Sequence, residues 1–340
     1  MGAGPGAPGS RRNFTVTAAQ GEVFRINDND GKDFNFQKVD NQHIWITDEA
    51  FNQALMDLPQ DERRAIRLPR YDGSVQPIRR ALAAVSTTDV LIAGINTTPV
   101  GLCLNPAVPE ARAAWYSFGF LVRRAAAVLL DVAESELDLG IQPIEDFSSP
   151  FAPPSARIFI SDSLENGAGY STHLGDPVRF EELLQFMLGL LGPRSQDFYN
   201  PYVALKHEGE CASSCHRCLR EYGNMAHHPL LDWRLALDMA RLALDPTAPI
   251  DLTNSYWAPL VSRVANPYFQ GLNLSPNVIG GLPTGLNSAT GEAVILTHPL
   301  WDHDDANLRP ELASAIVQAE RNGYKIKKHS VFRAVRFPYE

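Results

Sequence analysis

His207-Glu208-Gly209-Glu210-Cys211-Ala212-Ser213-Ser214-Cys215-His216-Arg217-Cys218 puts three thiols into eight consecutive positions, 211–218. Packing gives no reason for three cysteines on one polar loop. A metal does: zinc takes four N or S donors at about 2.0–2.3 Å in a tetrahedron, and a short loop closes around it at small entropic cost. Cys-x3-Cys-x2-Cys supplies three donors. The spacing leaves the fourth open, with His207 four residues before Cys211 and His216, His227, His228 and Cys103 competing with it. A redox role is the alternative, but a redox Cys-x-x-Cys opens a helix after a strand, whereas Cys215 and Cys218 stand in a polar loop. The reading is a zinc-stiffened loop held between packed helices.

The composition around it narrows the classes. The 340 residues are 44% hydrophobic and 20% charged, in the range of globular chains. The 39 acidic against 30 basic residues give a net charge of −9, which excludes a uniformly basic nucleic-acid coat and leaves room for local basic patches. Four cysteines are too few for a disulfide scaffold. No apolar run reaches the roughly 20 residues of a membrane span; Ala125–Leu130 is closed off by Arg124 and Asp131. The first residues lack the apolar core of a signal peptide. A cytoplasmic protein is expected.

Periodicity predicts an α+β fold: mixed small sheets with packed helices, a zinc-stabilised loop and a C-terminal βαβ unit. The Gly/Pro-rich residues 1–12 read as a flexible lead-in. Residues 13–150 read as a β-rich region with one long helix. Val23–Ile26 and Phe34–Phe36 form a hairpin around Asn27–Gly31, Ile44–Thr47 is a strand, and Asp48 caps a helix to Met56. Asp89–Ile95 is a buried strand. Pro109–Val132 is a helix with Trp115, Phe118, Leu121, Val122, Ala125 and Leu129 on one stripe, and Leu137–Ile144 is a strand. The proline-rich stretch Ser148–Ser155 reads as a linker. Residues 151–250 hold the strand Arg157–Ile160, a Gly-Ala-Gly turn, helices at Val178–Leu191 and Leu230–Leu244, and the cysteine loop. Residues 251–340 form an α/β unit: a helix at Thr253–Val264, a loop at Leu272–Gly291, then Ala293–Thr297, Pro310–Asn322 and Tyr324–Arg336 as β, α and β.

Some chemistries are excluded. Ile46-Thr47-Asp48-Glu49-Ala50 imitates the metal-binding strand of an ATPase, but no Gly-x-x-x-x-Gly-Lys-Ser/Thr phosphate loop occurs anywhere. Gly167-Ala168-Gly169 could cradle a phosphate, yet Asp162 would repel one, and a tight strand-to-helix turn explains the glycines better. Arg63, Arg64, Arg67, Arg70, Arg79 and Arg80 read as a solvated loop, with a phosphate-contacting strip as the alternative.

Three strings together resemble a known family: Asp162-x3-Asn166-Gly167-Ala168-Gly169-Tyr170, Cys215-His216-Arg217-Cys218-Leu219-Arg220-Glu221-Tyr222-Gly223-Asn224, and His228-x2-Leu231-Asp232. They look like the zinc-binding domain at the C-terminus of certain bacterial superfamily-two helicases, including mitomycin-repair helicases and helicases of the DISARM phage-defence system. Val23–Asp28, Asp89–Leu91 and the Trp115–Leu130 helix leading to Glu136-Leu137 resemble the same domain, over roughly residues 20–245. The resemblance implies a non-catalytic, zinc-binding module fused to, or partnering, a DNA helicase motor, in phage defence or DNA repair. In that family four cysteines usually hold the metal. Cys211, Cys215 and Cys218 match three of them and His207 is the candidate for the fourth place.

Two other functions are carried alongside. His298, Asp302, His303 and Asp304 could build a metal-dependent nuclease or hydrolase site, although no Glu-x-Lys or His-x-Lys string occurs in the sequence. A pure protein–protein scaffold is the other. For DNA contact the candidates are Lys325, Lys327, Lys328, Arg333 and Arg336. They lie in a stretch from Arg321 to Tyr339 without Asp or Glu, interleaved with Tyr324, Phe332, Phe337 and Tyr339. An edge strand protected by lysines is the competing reading of that tail.

Overall fold

The computed structural model describes residues 12–27, 31–38, 45–47, 75–144 and 154–338. Outside them lie most of the expected lead-in, positions 28–30 of the expected turn, the helix expected at 48–56, Arg63, Arg64, Arg67 and Arg70, and most of the proline-rich stretch. The chain divides into two compact units, Gly21–Thr87 and Met1–Gln20 with Thr88–Glu340.

In the smaller unit β2 (Phe34–Lys38) lies antiparallel between β3 (Trp45–Thr47) and β4 (Ile78–Arg80). The expected hairpin of Val23–Ile26 with Phe34–Phe36 is therefore corrected. β1 (Phe14–Asn27) pairs instead with β5 (Leu82–Ile95), because both edges of β2 are already taken.

In the larger unit a sheet of order β1-β5-β7-β6 includes β6 (Leu137–Ile144) and β7 (Ser155–Asp162), antiparallel to one another. The long helix α1 (Pro109–Leu130) packs on β6 and β7. Pro109 starts it at the position where a missing N–H costs nothing, and Asp131 ends it in the left-handed conformation. Trp115, Phe118, Leu121, Val122 and Ala125 are all buried, as their 3.6-residue spacing requires. Among the described residues α1 is the one helix long and apolar enough to cross a membrane, and 67% of its most apolar window is buried in the protein. Short α2 (Tyr170–Leu174), α3 (Pro177–Met187), α4 (Pro193–Val203) and α5 (Leu205–Glu210) lead to the cysteine loop. Then α6 (Trp233–Leu244), capped by Asp232 on the N–H of Arg234, runs buried along α1 and α3.

The C-terminal part adds α7 (Ala258–Gly271), a second sheet and two more helices. The helix expected at Thr253–Val264 starts later because Asn254 Oδ1 takes the N–H groups of Tyr256 and Trp257, a cap that holds the preceding residues out of the helix. It also runs on past Pro267. The loop expected at Leu272–Gly291 is instead a hairpin of β8 (Ser275–Ile279) and β9 (Leu282–Asn287). Gly280 and Gly281, at φ 58° and 82°, make its two-residue turn, which only glycine adopts without strain. Pro276, Pro283 and Gly285 hid the strands from a propensity reading.

The βαβ unit is present: β10 (Glu292–Thr297), α8 (Pro310–Arg321) and β11 (Lys325–Ser330), with β10 and β11 parallel. Ala293 to Leu296 are buried without alternation, as in a strand covered on both faces. The strand expected to reach Arg336 stops at Ser330, whose Oγ accepts the N–H of Arg333 and starts α9 (Val331–Arg336).

His329 sits under Tyr268, whose hydroxyl is 2.6 Å from Nδ1. Burial, then Arg333, Lys327 and His303 nearby, lower its pKa to about 4. An unfolded chain takes up that proton near pH 6.5, so stability is full above this value and falls as the pH drops towards about 4. Urea unfolding between pH 7 and 5 is expected to show that loss in the native sequence and a flatter profile in His329→Gln. Equal slopes in the two proteins would contradict the assignment.

Candidate metal centre

The chain reverses at Ala204, whose extended backbone (φ −62°, ψ 134°) separates α4 from α5. His207 stands on α5, and Cys211 closes that helix with its N–H on the His207 carbonyl, 2.8 Å away. The N–H groups of Cys218 and Arg220 both reach the Cys215 carbonyl at 3.0 Å, folding Cys215–Cys218 into a tight knuckle. His207, Cys211, Cys215 and Cys218 thereby bring one donor atom each to within 4.8 Å of all the others. Cys211 Sγ is 3.9 Å from Cys218 Sγ, and Cys218 Sγ is 3.8 Å from Cys215 Sγ. His207 Nε2 is 3.4 Å from Cys215 Sγ. The edges of a zinc tetrahedron with S and N donors are about 3.5–3.8 Å long, from its bond lengths. The four donors can hold a metal ion.

His207 Nδ1 donates to the Tyr202 carbonyl at 2.8 Å, which fixes the tautomer and turns Nε2 towards the thiols. Cys218 is the most acidic thiol of the group. Hydrogen bonds from Cys211 above all, and from His207 and the Cys215 N–H, hold it down to about 4. The hydrogen bond to Cys218 lifts His207 to about 9. Cys211 is pushed up by its hydrogen bond to Cys218 and by burial. Three thiols and an imidazole within reach of one point, able to release their protons to a metal, are the donor set a soft or borderline dication takes.

The loop is tied to its surroundings by three arginines, of which Arg234 is buried. Arg234, fully buried on α6, donates to the carbonyls of Ala212 (2.9 Å) and Tyr256 (2.8 Å) and to Glu208 (3.2 Å). Arg263 of α7 grips the same Glu208 at 2.9 and 3.0 Å. Arg124 of α1 donates to the Cys218 carbonyl. Sequence reading gave none of these three arginines a role at the loop, because their partners are 22 to 94 positions away. Asn224 and His228, both in the quoted strings, buttress the knuckle. Asn224 Nδ2 donates to the Leu219 carbonyl at 2.8 Å, and His228 Nε2 donates to Asn224 Oδ1 at 2.8 Å.

The competing ligands fall elsewhere. His216 faces His228 with ring centroids 6.0 Å apart, and His227 stacks on Tyr116 at 4.2 Å. Cys103 pairs its N–H with the Leu300 carbonyl, and burial raises its thiol pKa. At the Gly-Ala-Gly turn the N–H groups already have acceptors. Asp162 takes those of Ala168, Tyr170 and Ser171 at 2.7–3.0 Å, and Asp89 takes that of Gly169 at 3.2 Å. A Cβ on Gly167 would stand 2.4 Å from Asp89 Oδ2. The turn is structural.

The His298–Asp304 side chains do not converge. His298 is fully buried and its Nε2 donates to Asp238 at 3.0 Å. His303 Nε2 is 2.8 Å from Thr297 Oγ1, Asp302 accepts from Asn307 at 2.7 Å, and Asp304 caps a short turn at Ala306.

In the tail, β11 is an edge strand. Lys325 and Lys327 are exposed, with Lys327 Nζ 3.1 Å from Glu292. Lys328 reaches Asp305 at 2.7 Å and the His303 carbonyl. Arg333 is exposed on α9. Arg336 turns inward, donating to the carbonyls of Pro229 (2.7 Å) and Leu231 (3.0 Å) and lying 3.7 Å from the Phe332 ring. Phe332 is itself buried. The five basic side chains do not share one surface chemistry.

No protein-family model matches this sequence, and no curated protein matches it. A crystal structure of the DUF1998 helicase MrfA bound to DNA aligns with 67% of this chain at 12% identity. The TM-score is 0.29, and the chain spans 26% of that helicase's length. At that score the likeness carries no argument about this chain.

Proposed function

We propose that this chain is a zinc-binding, non-catalytic module of a superfamily-two helicase, fused or as a partner subunit, acting on DNA in cytoplasmic phage defence or DNA repair. The observation that carries the reading is the meeting of His207 with Cys211, Cys215 and Cys218 at zinc-like separations. It occurs on the same segment whose Cys-x2-Cys-Leu-Arg-Glu-Tyr-Gly-Asn string resembles that helicase domain. Zinc would cross-link a loop that has little apolar surface of its own. Around it the chain's own groups set the geometry: Tyr202 orients His207, and Arg234 and Arg124 fix the loop on α6 and α1. The hydrolase reading has no convergent side chains to support it.

The test combines metal analysis with motor activity. About one zinc per chain is expected, together with a rise in the DNA-dependent ATPase rate of the cognate motor when the zinc-loaded chain is present. Zinc-free protein with no effect on the motor would overturn the proposal. Zinc-loaded protein that joins the motor but leaves its DNA response unchanged would favour a scaffold.

A further inference from the structure

The imidazole of the metal centre rides on a helix that cannot fix itself. α5 has six residues, far below the roughly 12–15 at which an isolated helix becomes even marginally stable in water. Its direction has to come from contacts, and that direction decides whether His207 Nε2 faces the thiols. Tyr202 sets the turn of the ring through Nδ1, and Trp233 packs against it with ring centroids 5.5 Å apart. Both of these act on the ring. The next residue along the chain acts on the helix.

That residue is Glu208. Its buried carboxylate accepts from Arg234 Nη2 at 3.2 Å and from Arg263 Nη1 at 2.9 and 3.0 Å. Arg234 also donates to the carbonyl of Ala212, one residue after Cys211, at 2.9 Å. One guanidinium therefore spans both sides of the site, α5 with its histidine and the loop with its cysteines, and sets their separation. The same guanidinium reaches the Tyr256 carbonyl at 2.8 Å, just ahead of α7, and Arg263 stands on α7 itself. A carboxylate one position from a metal ligand is thus clamped to both the ligand loop and the C-terminal part of the chain.

We propose that Glu208 is a positioning residue of the metal centre, and that through it zinc affinity and the seating of α7 are coupled. The proposal rests on the reading of His207, Cys211, Cys215 and Cys218 as a zinc site. Glu208 stands outside that four-donor cluster. Its part is to hold α5 against Arg234 and Arg263, so that the donors are in place before the metal arrives and less order has to be imposed on binding. Coupling is reciprocal: zinc tightens α7 by the factor with which a seated α7 tightens zinc.

The experiment measures zinc affinity by competition with a chromophoric chelator, on full-length native, Glu208→Gln, Arg263→Met and Arg263→Lys proteins at one pH. Groups that orient metal ligands from behind contribute about 10–100-fold, and Glu208 acts one residue removed, so Glu208→Gln is expected to weaken zinc about tenfold. The Arg263 side chain is 38% exposed, so its removal leaves Glu208 still paired with Arg234. Arg263→Met is expected to weaken zinc about fivefold. Arg263→Lys should bind like the native chain, since a single nitrogen, Nη1, makes both contacts with Glu208. Relative to the native chain, Arg263→Met should lose more melting temperature with zinc bound than in chelator. Equal losses in the two states mean that the pair only holds the fold, and overturn the proposal. So does native affinity in Arg263→Met, or a Lys variant as weak as the Met one. Hydrogen exchange reads the coupling in reverse: chelating the native chain should raise exchange within Ala258–Gly271, and unchanged protection there overturns it. If Glu208→Gln fails to fold, the two Arg263 variants decide alone. A native chain that binds no zinc brings down instead the reading on which the proposal rests.

Discussion

Cys218→Ser protein is expected to lose its zinc and to unfold about 10 °C or more below the native chain, the largest effect of any single substitution here. Cys218 is the hub of the cluster: its sulfur lies 3.9 Å from Cys211 and 3.8 Å from Cys215, and it accepts the Cys215 N–H at 3.0 Å. Removing it leaves two thiols and an imidazole that cannot close a tetrahedron. The loss should spread, because the carbonyls of Ala212 and Cys218 anchor Arg234 and Arg124, and Arg234 also holds the Tyr256 carbonyl. Thermal unfolding with and without a chelator, alongside metal analysis, gives the check. Chelation should bring the native chain close to the variant and leave the variant unmoved. A variant that melts with the native chain would show that burial alone holds the loop.

The second large effect is expected at Asp238, which no motif marks. It is fully buried on α6 and accepts from the Tyr256 hydroxyl, from Trp257 Nε1 at 2.7 Å and from His298 Nε2 at 3.0 Å. Two of these donors precede α7 and the third follows β10, so one carboxylate joins α6 to both. Asp238→Ala would strand three buried donors at once, and a loss of about 3–5 kcal/mol is expected. His298→Leu alone removes one donor and should cost less. In the Asp238→Ala/His298→Leu double variant both partners become apolar, so the combined loss should fall short of the two single losses added together. Urea unfolding of the four proteins completes the cycle. Strict additivity would mean that Asp238 and His298 are not coupled.

The parts of this protein legible in its sequence are those set by short-range patterns. The stripe from Trp115 to Ala125 repeats every three to four residues, so α1 was readable from Pro109, with an expected end at Val132, two residues beyond the observed Leu130. Leu137–Ile144 is a strand over the residues expected, and the βαβ unit follows from an apolar run, an amphipathic helix and a second β segment. Three thiols in eight positions announced a metal loop because closing it needs only local chain geometry. Tertiary structure decided the rest. Five residues competed for the fourth donor position, and His207 alone reaches the thiols because the break at Ala204 aims α5 at them while Tyr202 holds its ring. The β8–β9 hairpin lies in a stretch of low β-propensity and exists because Gly280-Gly281 permits the turn and α7 and α8 cover the sheet. Arg336 reads as a surface cation, yet it is drawn inward by carbonyls more than 100 positions away. Asp238 and His298, 60 positions apart, become one buried pair. A residue's spacing records what its neighbours in the chain can do with it, whereas ligand choice, buried charge and the direction of a long side chain are set by distant groups that only folding brings within hydrogen-bond reach.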